Sequence, residues 1–217
     1  MRFGRQPVIS ETAVQAVLDS LVFSTSDKDE ATPMHYLFLV EEKLLDPKTP
    51  RSEKQRSYII QLILIEIISS ELRNLRSRFQ HGVDVNESYQ DAIQSLTLDS
   101  QIQSNDLLSW SILFYLYAQI DLGLNIDIIA EVIGVASRTL RRYRKHGVKL
   151  LTQKLWQIET ESRRNYHYRN IISQLEPWNT DNFVGRDGEI EKIINNIIDQ
   201  QKNTVYVHGE KGIGKTS

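Results

Sequence analysis

Several signatures of common protein classes are missing from this chain. Cysteine is absent from its 217 residues, which excludes disulfide bonds and zinc sites built on cysteine. The amino-terminal residues lack the apolar core of a signal peptide. The longest apolar runs, 58–68 and 112–120, are about half of the roughly 20 residues that span a bilayer. We therefore expect a cytoplasmic protein with no membrane partner.

Catalytic and metal-binding patterns are also missing. The five histidines are scattered without the spacing of metal ligands. The acidic residues are spread along predicted helices and form no pair suited to acid–base catalysis. We therefore predict no catalytic residue. The composition, 40% apolar and 25% charged, is that of an ordinary globular protein.

Charge is distributed unevenly, although the net charge is only −2. Residues 1–136 contain 11 Lys/Arg and 19 Asp/Glu, a balance of −8. Residues 137–169 contain 10 Lys/Arg and 2 Asp/Glu, a balance of +8. Positive charge confined to one short stretch indicates a polyanionic partner.

Hydrophobic periodicity predicts an all-helical domain over residues 1–160. Ser10 is a candidate N-cap for its first helix. Further helices are predicted over 34–45, 52–79, 87–96 and 107–122. The helix over 52–79 is apolar on nearly every side in its middle, so we expect it at the centre of the bundle.

The pattern changes after the helical domain. Residues 161–181 are polar and contain Pro177, which predicts a linker. An amphipathic helix pattern over 189–198 and a short strand pattern over 203–208 follow. These predict that residues 182–217 begin an α/β P-loop NTPase domain. The predicted fold class is therefore mainly α, with a helical domain that ends in a helix-turn-helix before the start of the NTPase.

Residues 125–149 carry the helix-turn-helix pattern. The small side chain of Ala130 lets two helices approach closely, and Gly134 permits the positive φ of the turn. Ser137 is the predicted N-cap of the second helix, and Leu140 is spaced to bury that helix against the first.

The second helix of this motif presents a basic face. Four cations recur at i, i+3, i+4 and i+7, which places them on one side of a helix. Such a face fits the major groove, where arginine reads guanine edges or holds phosphates. A basic face that is only solvated is the alternative interpretation. We predict duplex DNA as a partner, with contacts from Ser137, Arg138, Thr139, Arg141, Arg142 and Lys145.

The run 129–142 resembles the helix-turn-helix of sigma-factor region 4. It is also similar to a domain at the N-terminus of large bacterial STAND-type ATPases. The resemblance covers residues 107–156 and departs at Ala136, where those proteins usually have serine. It implies a DNA-binding domain that precedes an ATPase.

The last nine residues fit G-x-x-x-x-G-K-[ST], the phosphate-binding loop of P-loop NTPases. Its glycines let backbone N–H groups point at phosphate oxygens, Lys215 would reach the β- and γ-phosphates, and the Thr216 hydroxyl would ligate Mg²⁺. The predicted nucleotide contacts here are Gly209, Glu210, Lys211, Gly212, Ile213, Gly214, Lys215, Thr216 and Ser217.

A second nucleotide-binding signature lies upstream, over residues 183–190. It resembles the F-[VI]-G-R-x-x-E-[IL] run that opens the nucleotide-binding domains of AAA+ and STAND (NACHT/NB-ARC-like) ATPases. The resemblance implies that Val184, Gly185 and Arg186 border the adenine, while Gly188 is a minor departure. ATP or ADP with Mg²⁺ is the cofactor that it implies.

The sequence reaches Ser217 before any acidic Walker B strand. We therefore expect an amino-terminal piece of a larger NTPase that does not hydrolyse ATP by itself. Our leading interpretation is a STAND-type regulator of transcription that binds DNA through its helix-turn-helix. One alternative is a STAND protein of defence or signalling whose helical domain mediates protein interaction or oligomerisation. The other is an AAA+ helper ATPase of replication or transposition.

Overall fold

A computed structural model describes residues 9–22, 32–44, 52–79 and 88–175, together with Gly188, Glu189, Glu191, Lys192 and Asn195. These segments are mainly α-helical, and no β-strand is present among the described residues. The helices are α1 (Glu11–Val22), α2 (Phe38–Lys43), α3 (Glu53–Arg78), α4 (Tyr89–Gln101), α5 (Asn105–Leu113), α6 (Ile126–Val132) and α7 (Ser137–Leu175). None of the described helices is long and apolar enough to cross a membrane.

Serine hydroxyls begin four of these helices. Ser10, Ser52 and Ser104 each accept a hydrogen bond from the backbone N–H three residues later, at 3.2–3.3 Å. Ser88 forms a reciprocal capping box with Asp91 at the start of α4. Hydrogen bonds from Ser88 hold the pKa of the Asp91 carboxyl below its ordinary value. The predicted cap at Ser10 is therefore confirmed.

Helix α3 is the centre of the bundle, as its sequence predicts. It packs against α1, α2 and α5, and it lies within one residue of the predicted range at each end. Its middle turns contribute a continuous run of buried side chains. The fully or almost fully buried ones are Ile59, Ile60, Ile63, Leu64, Ile67, Ile68 and Leu72.

Three helix predictions need correction in their limits. The helix predicted over 34–45 is split, because Leu37 has an extended backbone (ψ 146°) between the 3₁₀ turn Pro33–Tyr36 and α2. Helix α4 starts later and ends later than the predicted range 87–96. The helix predicted over 107–122 is α5 followed by the π-helical turn Phe114–Ala118 and a 3₁₀ turn, which ends at Gly123 with φ +66°.

A buried ion pair joins α3, α4 and α5. Arg76 and Asp99 are each 1% exposed, and the Arg76 guanidinium donates to the Asp99 carboxylate at 2.7 Å. The Ser111 hydroxyl donates to the same carboxylate at 2.7 Å, and Tyr115 accepts from Arg76 at 3.1 Å. Burial disfavours the charged form of Arg76. The hydrogen bonds and the negative charge of Asp99 outweigh this effect and raise the pKa of the Arg76 guanidinium above its ordinary value. Buried charges of this kind persist only when their partners are satisfied in this way.

Two side chains of α7, Arg144 and Glu159, attach it to the bundle. Near its start, Arg144 donates to Asp19 of α1 at 3.1 Å. Further along, the buried Glu159 carboxylate accepts from the backbone N–H groups of Phe38 and Leu39 at 2.8 and 3.0 Å. Those N–H groups open α2, which has no side-chain cap of its own. Glu159 therefore satisfies the first turn of α2 and fastens α7 to it.

The chain divides into two units, residues 1–159 and 160–217. Helix α7 continues past this division to Leu175, so the predicted linker 161–181 begins inside a helix. Residues 176–181 of that segment, and the strand predicted over 203–208, lie outside the described residues.

Gly147 marks the closest approach of α7 to α5. A Cβ atom placed on it would lie 2.9 Å from the backbone oxygen of Ser109 and 2.9 Å from Cγ of Leu113. Distances under about 3.0 Å to backbone require movement of a helix, because the carbonyl cannot swing away as a side chain does. The absence of a side chain at 147 is thus what lets these two helices touch.

We expect Gly147→Ala to lower the free energy of unfolding by about 1–2 kcal/mol, because overpacking outweighs the gain in helix propensity. Urea unfolding followed by circular dichroism at the helical band measures the change. Gln153→Ala, at an exposed position of the same helix, is the control and should be close to neutral. A Gly147→Ala variant as stable as the parent would contradict the close approach.

Candidate nucleic-acid interface

The turn between α6 and α7 is closed by two backbone hydrogen bonds. The N–H of Val135 donates to the backbone oxygen of Ala130 at 3.0 Å. The N–H of Gly134 donates to the backbone oxygen of Glu131 at 3.1 Å. This pair of bonds is the Schellman motif, which places a left-handed residue just after the helix end. Gly134 is that residue, with φ +69°. The predicted role of Gly134 in the turn is confirmed.

The two helices pack through small and aliphatic side chains. Ile129, Ala130 and Leu140 are buried in the core of the bundle. Asn125 caps α6 by accepting from the N–H groups of Asp127 and Ile128 at 2.9 and 3.0 Å. Within the range 125–149, over which the sequence predicts a helix-turn-helix, α6 and α7 are thus two helices joined by a four-residue turn.

The N-cap of α7 is one residue earlier than predicted. The backbone oxygen of Ala136 accepts from the N–H groups of Thr139 and Leu140 at 2.8 and 3.2 Å, so Ala136 is the N-cap and Ser137 the first helical residue. The Ser137 hydroxyl instead donates to Asp127 at 2.8 Å and ties the start of α7 to α6. Because this bond uses its only donor, Ser137 is a weaker candidate for a phosphate contact than its sequence position suggests.

The basic face of α7 is exposed. At about 3.6 residues per turn, its members lie within an arc of roughly 100°. The residues opposite them, Leu140, Gly147 and Leu151, are buried. The five exposed cations on this face, which we call the basic stripe, are Arg138, Arg141, Arg142, Lys145 and Lys149.

Other cations of the same helix are already paired. Arg144 binds Asp19, and Lys154 binds Glu71 at 2.8 Å; both lie on the side that faces the bundle. No cation of the basic stripe forms an ion pair or hydrogen bond within the part of the chain that the structure describes. Of the cations between residues 137 and 154, Arg144 and Lys154 thus pair with acids of the bundle, whereas the five cations of the basic stripe are exposed.

A shallow cleft of about 260 Å³ lies beside the stripe, between the start of α5 and α7. Asn105, Thr139, Arg142, Tyr143 and His146 line it, so Thr139, a predicted DNA contact, is half-buried there and not on the open face. The His146 ring lies 2.7 Å from the Asp106 carboxylate. That pair keeps one acid at the edge of an otherwise basic surface.

The predicted nucleotide contacts cannot be placed. Val184, Gly185 and Arg186 of the upstream signature, and the whole loop 209–217, lie outside the described residues. Their roles therefore stay predictions. Within the described residues no cluster of His, Asp or Glu side chains has the arrangement of a metal site.

Comparisons with known proteins add no assignment. No protein-family model matches the chain, and no curated protein or solved structure is significantly similar to it.

Sequence reasoning missed one cation of the stripe. Lys149 follows Lys145 by four residues and Arg138 by eleven, which returns it to the same side of α7. The signal was present in the spacing, but the pattern of a helix-turn-helix ends near this residue, and only the length of α7 shows that the face continues.

Gly134 gives a test of the turn. No atom lies within 4 Å of a Cβ placed there, so any cost of a side chain comes from the positive φ alone. We expect Gly134→Ala to lower the free energy of unfolding by about 1–2 kcal/mol. Gly134→Asn should lose less, because asparagine tolerates this conformation better. Equal losses for the two variants, measured by urea unfolding, would argue against a left-handed residue in the turn.

Proposed function

We propose that this chain belongs to a STAND-type ATP-binding regulator whose helical domain binds duplex DNA through the basic stripe of α7. The observation that carries the proposal is the alignment of five exposed cations, none of them in an ion pair among the described residues, on the helix that follows the turn at Gly134. In helix-turn-helix proteins, the start of the second helix enters the major groove. A cytoplasmic location goes with this proposal.

The energetics of the stripe favour a functional role. Arg138–Arg142, Arg141–Lys145 and Lys145–Lys149 are like-charge pairs at i, i+4. Each such pair destabilises a helix by about 0.2–0.5 kcal/mol, whereas alternating charges would stabilise it. A face that is only solvated gains nothing from this arrangement. A polyanion that binds the stripe removes the repulsion and releases counterions, which offsets the cost.

The surroundings of the stripe also favour a rigid, preorganised surface. Gly147 and Leu151 seat the opposite side of α7 on the bundle, and the bonds of Arg144 and Glu159 fix its rotation. A binding face held by packed helices loses little conformational entropy on binding.

The nucleotide part of the proposal has a separate basis. It is supported by the phosphate-loop motif over 209–217 and the upstream signature at Val184, Gly185 and Arg186. ATP or ADP with Mg²⁺ is the proposed cofactor, and Thr216 is the proposed magnesium ligand. We propose that nucleotide state governs the activity of the helical domain, as in other switch proteins with a P-loop.

A second candidate function is protein interaction or self-oligomerisation. Two observations favour it: the −8 balance of residues 1–136, and the exposed pair Tyr58 and Leu62, 54% and 40% exposed one turn apart on α3. Light scattering in the presence and absence of ATP and Mg²⁺ distinguishes this candidate, because it requires an oligomer that forms without DNA. An AAA+ helper of replication or transposition ranks last, since such proteins usually place the DNA-binding helices after the ATPase.

The DNA-binding proposal is tested by reversing charge on the stripe. We expect Arg138→Glu/Arg141→Glu/Arg142→Glu to abolish binding to duplex DNA, because each substitution replaces a phosphate or base contact with repulsion. Fluorescence anisotropy with labelled duplex, over a salt series, measures the loss.

The matched control reverses three exposed cations of α3, as Lys54→Glu/Arg73→Glu/Arg78→Glu. It changes the net charge by the same amount on another helix, so it reports the general electrostatic effect. We expect it to weaken binding only slightly. Equal affinities of the two triple variants, or no binding by the parent chain, would reject the proposed interface.

Lys145 separates function from stability. We expect Lys145→Glu to raise the free energy of unfolding by about 0.5–1 kcal/mol, because it converts repulsion from Arg141 and Lys149 into attraction. DNA affinity should fall at least tenfold in the same variant. Lys145→Gln removes the repulsion without adding attraction. Its free energy of unfolding and its DNA affinity should therefore lie between those of the parent chain and those of Lys145→Glu. A variant that is more stable but binds DNA as the parent does would identify the stripe as a solvated face.

A further inference from the structure

We infer that the basic stripe has two parts with different tasks: Arg138 and Arg142 read bases in the major groove, and Lys149 clamps the phosphate strand beyond the groove. This inference rests on the proposed function and extends it to a residue outside the helix-turn-helix pattern. It assigns a sequence-independent phosphate contact to the fourth turn of α7, where Lys149 lies.

The distance along α7 between Arg138 and Lys149 supports a different contact for each of them. Lys149 follows Arg138 by eleven residues, which is about 16 Å at a rise of roughly 1.5 Å per residue. The major groove of B-form DNA is about 12 Å wide. In the helix-turn-helix geometry the N-terminal residues of the second helix contact the base edges. With α7 entering the groove by that end and its axis crossing the groove, Lys149 lies past the groove edge, where phosphates and not base edges are within reach.

One continuous helix, α7, carries both Arg138 and Lys149. Hydrogen bonding is continuous from Ser137 to Leu175, and Gly147, Val148 and Leu151 are buried on the bundle side next to Lys149. Lys149 is exposed, and no acidic residue stands three or four positions from it on either side. The backbone of Lys149 is thus held by the packed side of α7, and its ammonium is exposed to an anion.

Side-chain chemistry agrees with this assignment. The planar fork of arginine matches the two acceptors of guanine, whereas lysine acts as a compact point charge suited to phosphate. Arginines occupy the first two turns of α7, and the lysines Lys145 and Lys149 follow. The order along the helix therefore runs from groups that discriminate bases to groups that neutralise charge.

The experiment uses the full chain and a duplex library with a randomised centre, from which bound sequences are selected. Lys149→Gln should weaken binding to every duplex by a similar factor, leave the selected sequence unchanged, and reduce the slope of log affinity against log salt by about 1. Arg138→Ala should lower the discrimination between best and mismatched duplexes at least tenfold. Lys54→Gln, an exposed lysine on α3, is the control and should change neither quantity.

Each outcome has a defined meaning. An unchanged affinity and salt slope for Lys149→Gln, with DNA binding lost in the triple arginine variant, would overturn the clamp and leave the proposed function standing. A changed base preference in Lys149→Gln would overturn the division of tasks. Absence of DNA binding by the parent chain itself would overturn the proposed function and this inference together.

Discussion

The contact between Gly147 of α7 and the backbone of α5 is the constraint on which the proposed surface depends. The closeness of the two helices fixes the depth at which α7 sits in the bundle. With that depth fixed, Leu140 and Leu151 are buried, and the cations on the other side point away from the protein. A bulkier residue at 147 would push α7 away from α5.

A buried ion pair also holds α5 in place. The Arg76–Asp99 pair, with Ser111 and Tyr115, connects three helices through charge-assisted hydrogen bonds in a site closed to water. Removing one member would leave an uncompensated buried charge, which typically costs about 3–5 kcal/mol. These bonds therefore tie α5, against which α7 packs at Gly147, to α3 and α4.

Local rules made much of this fold predictable from sequence. The cap at Ser10, the central position of α3 and the glycine turn at 134 follow from hydrogen-bonding groups and spacing within a few residues. The features that were not predicted depend on distant residues. Hydrophobic periodicity did not predict that the Ser137 hydroxyl would donate a hydrogen bond to Asp127. It also did not predict that the helix beginning at Ser137 would continue to Leu175. The nucleotide site stays a prediction from its motifs.

The bond from Glu159 to the first turn of α2 has a consequence for where the helical domain ends. Leu37, the N-cap of α2, provides no side-chain hydrogen bond, so the N–H groups of Phe38 and Leu39 rely on a carboxylate 120 residues further along the chain. A shortened protein cut at the end of the helix-turn-helix pattern, near residue 149, would keep the stripe but strip α2 of its cap. The smallest autonomous version of this domain must therefore include the α7 turns through Glu159.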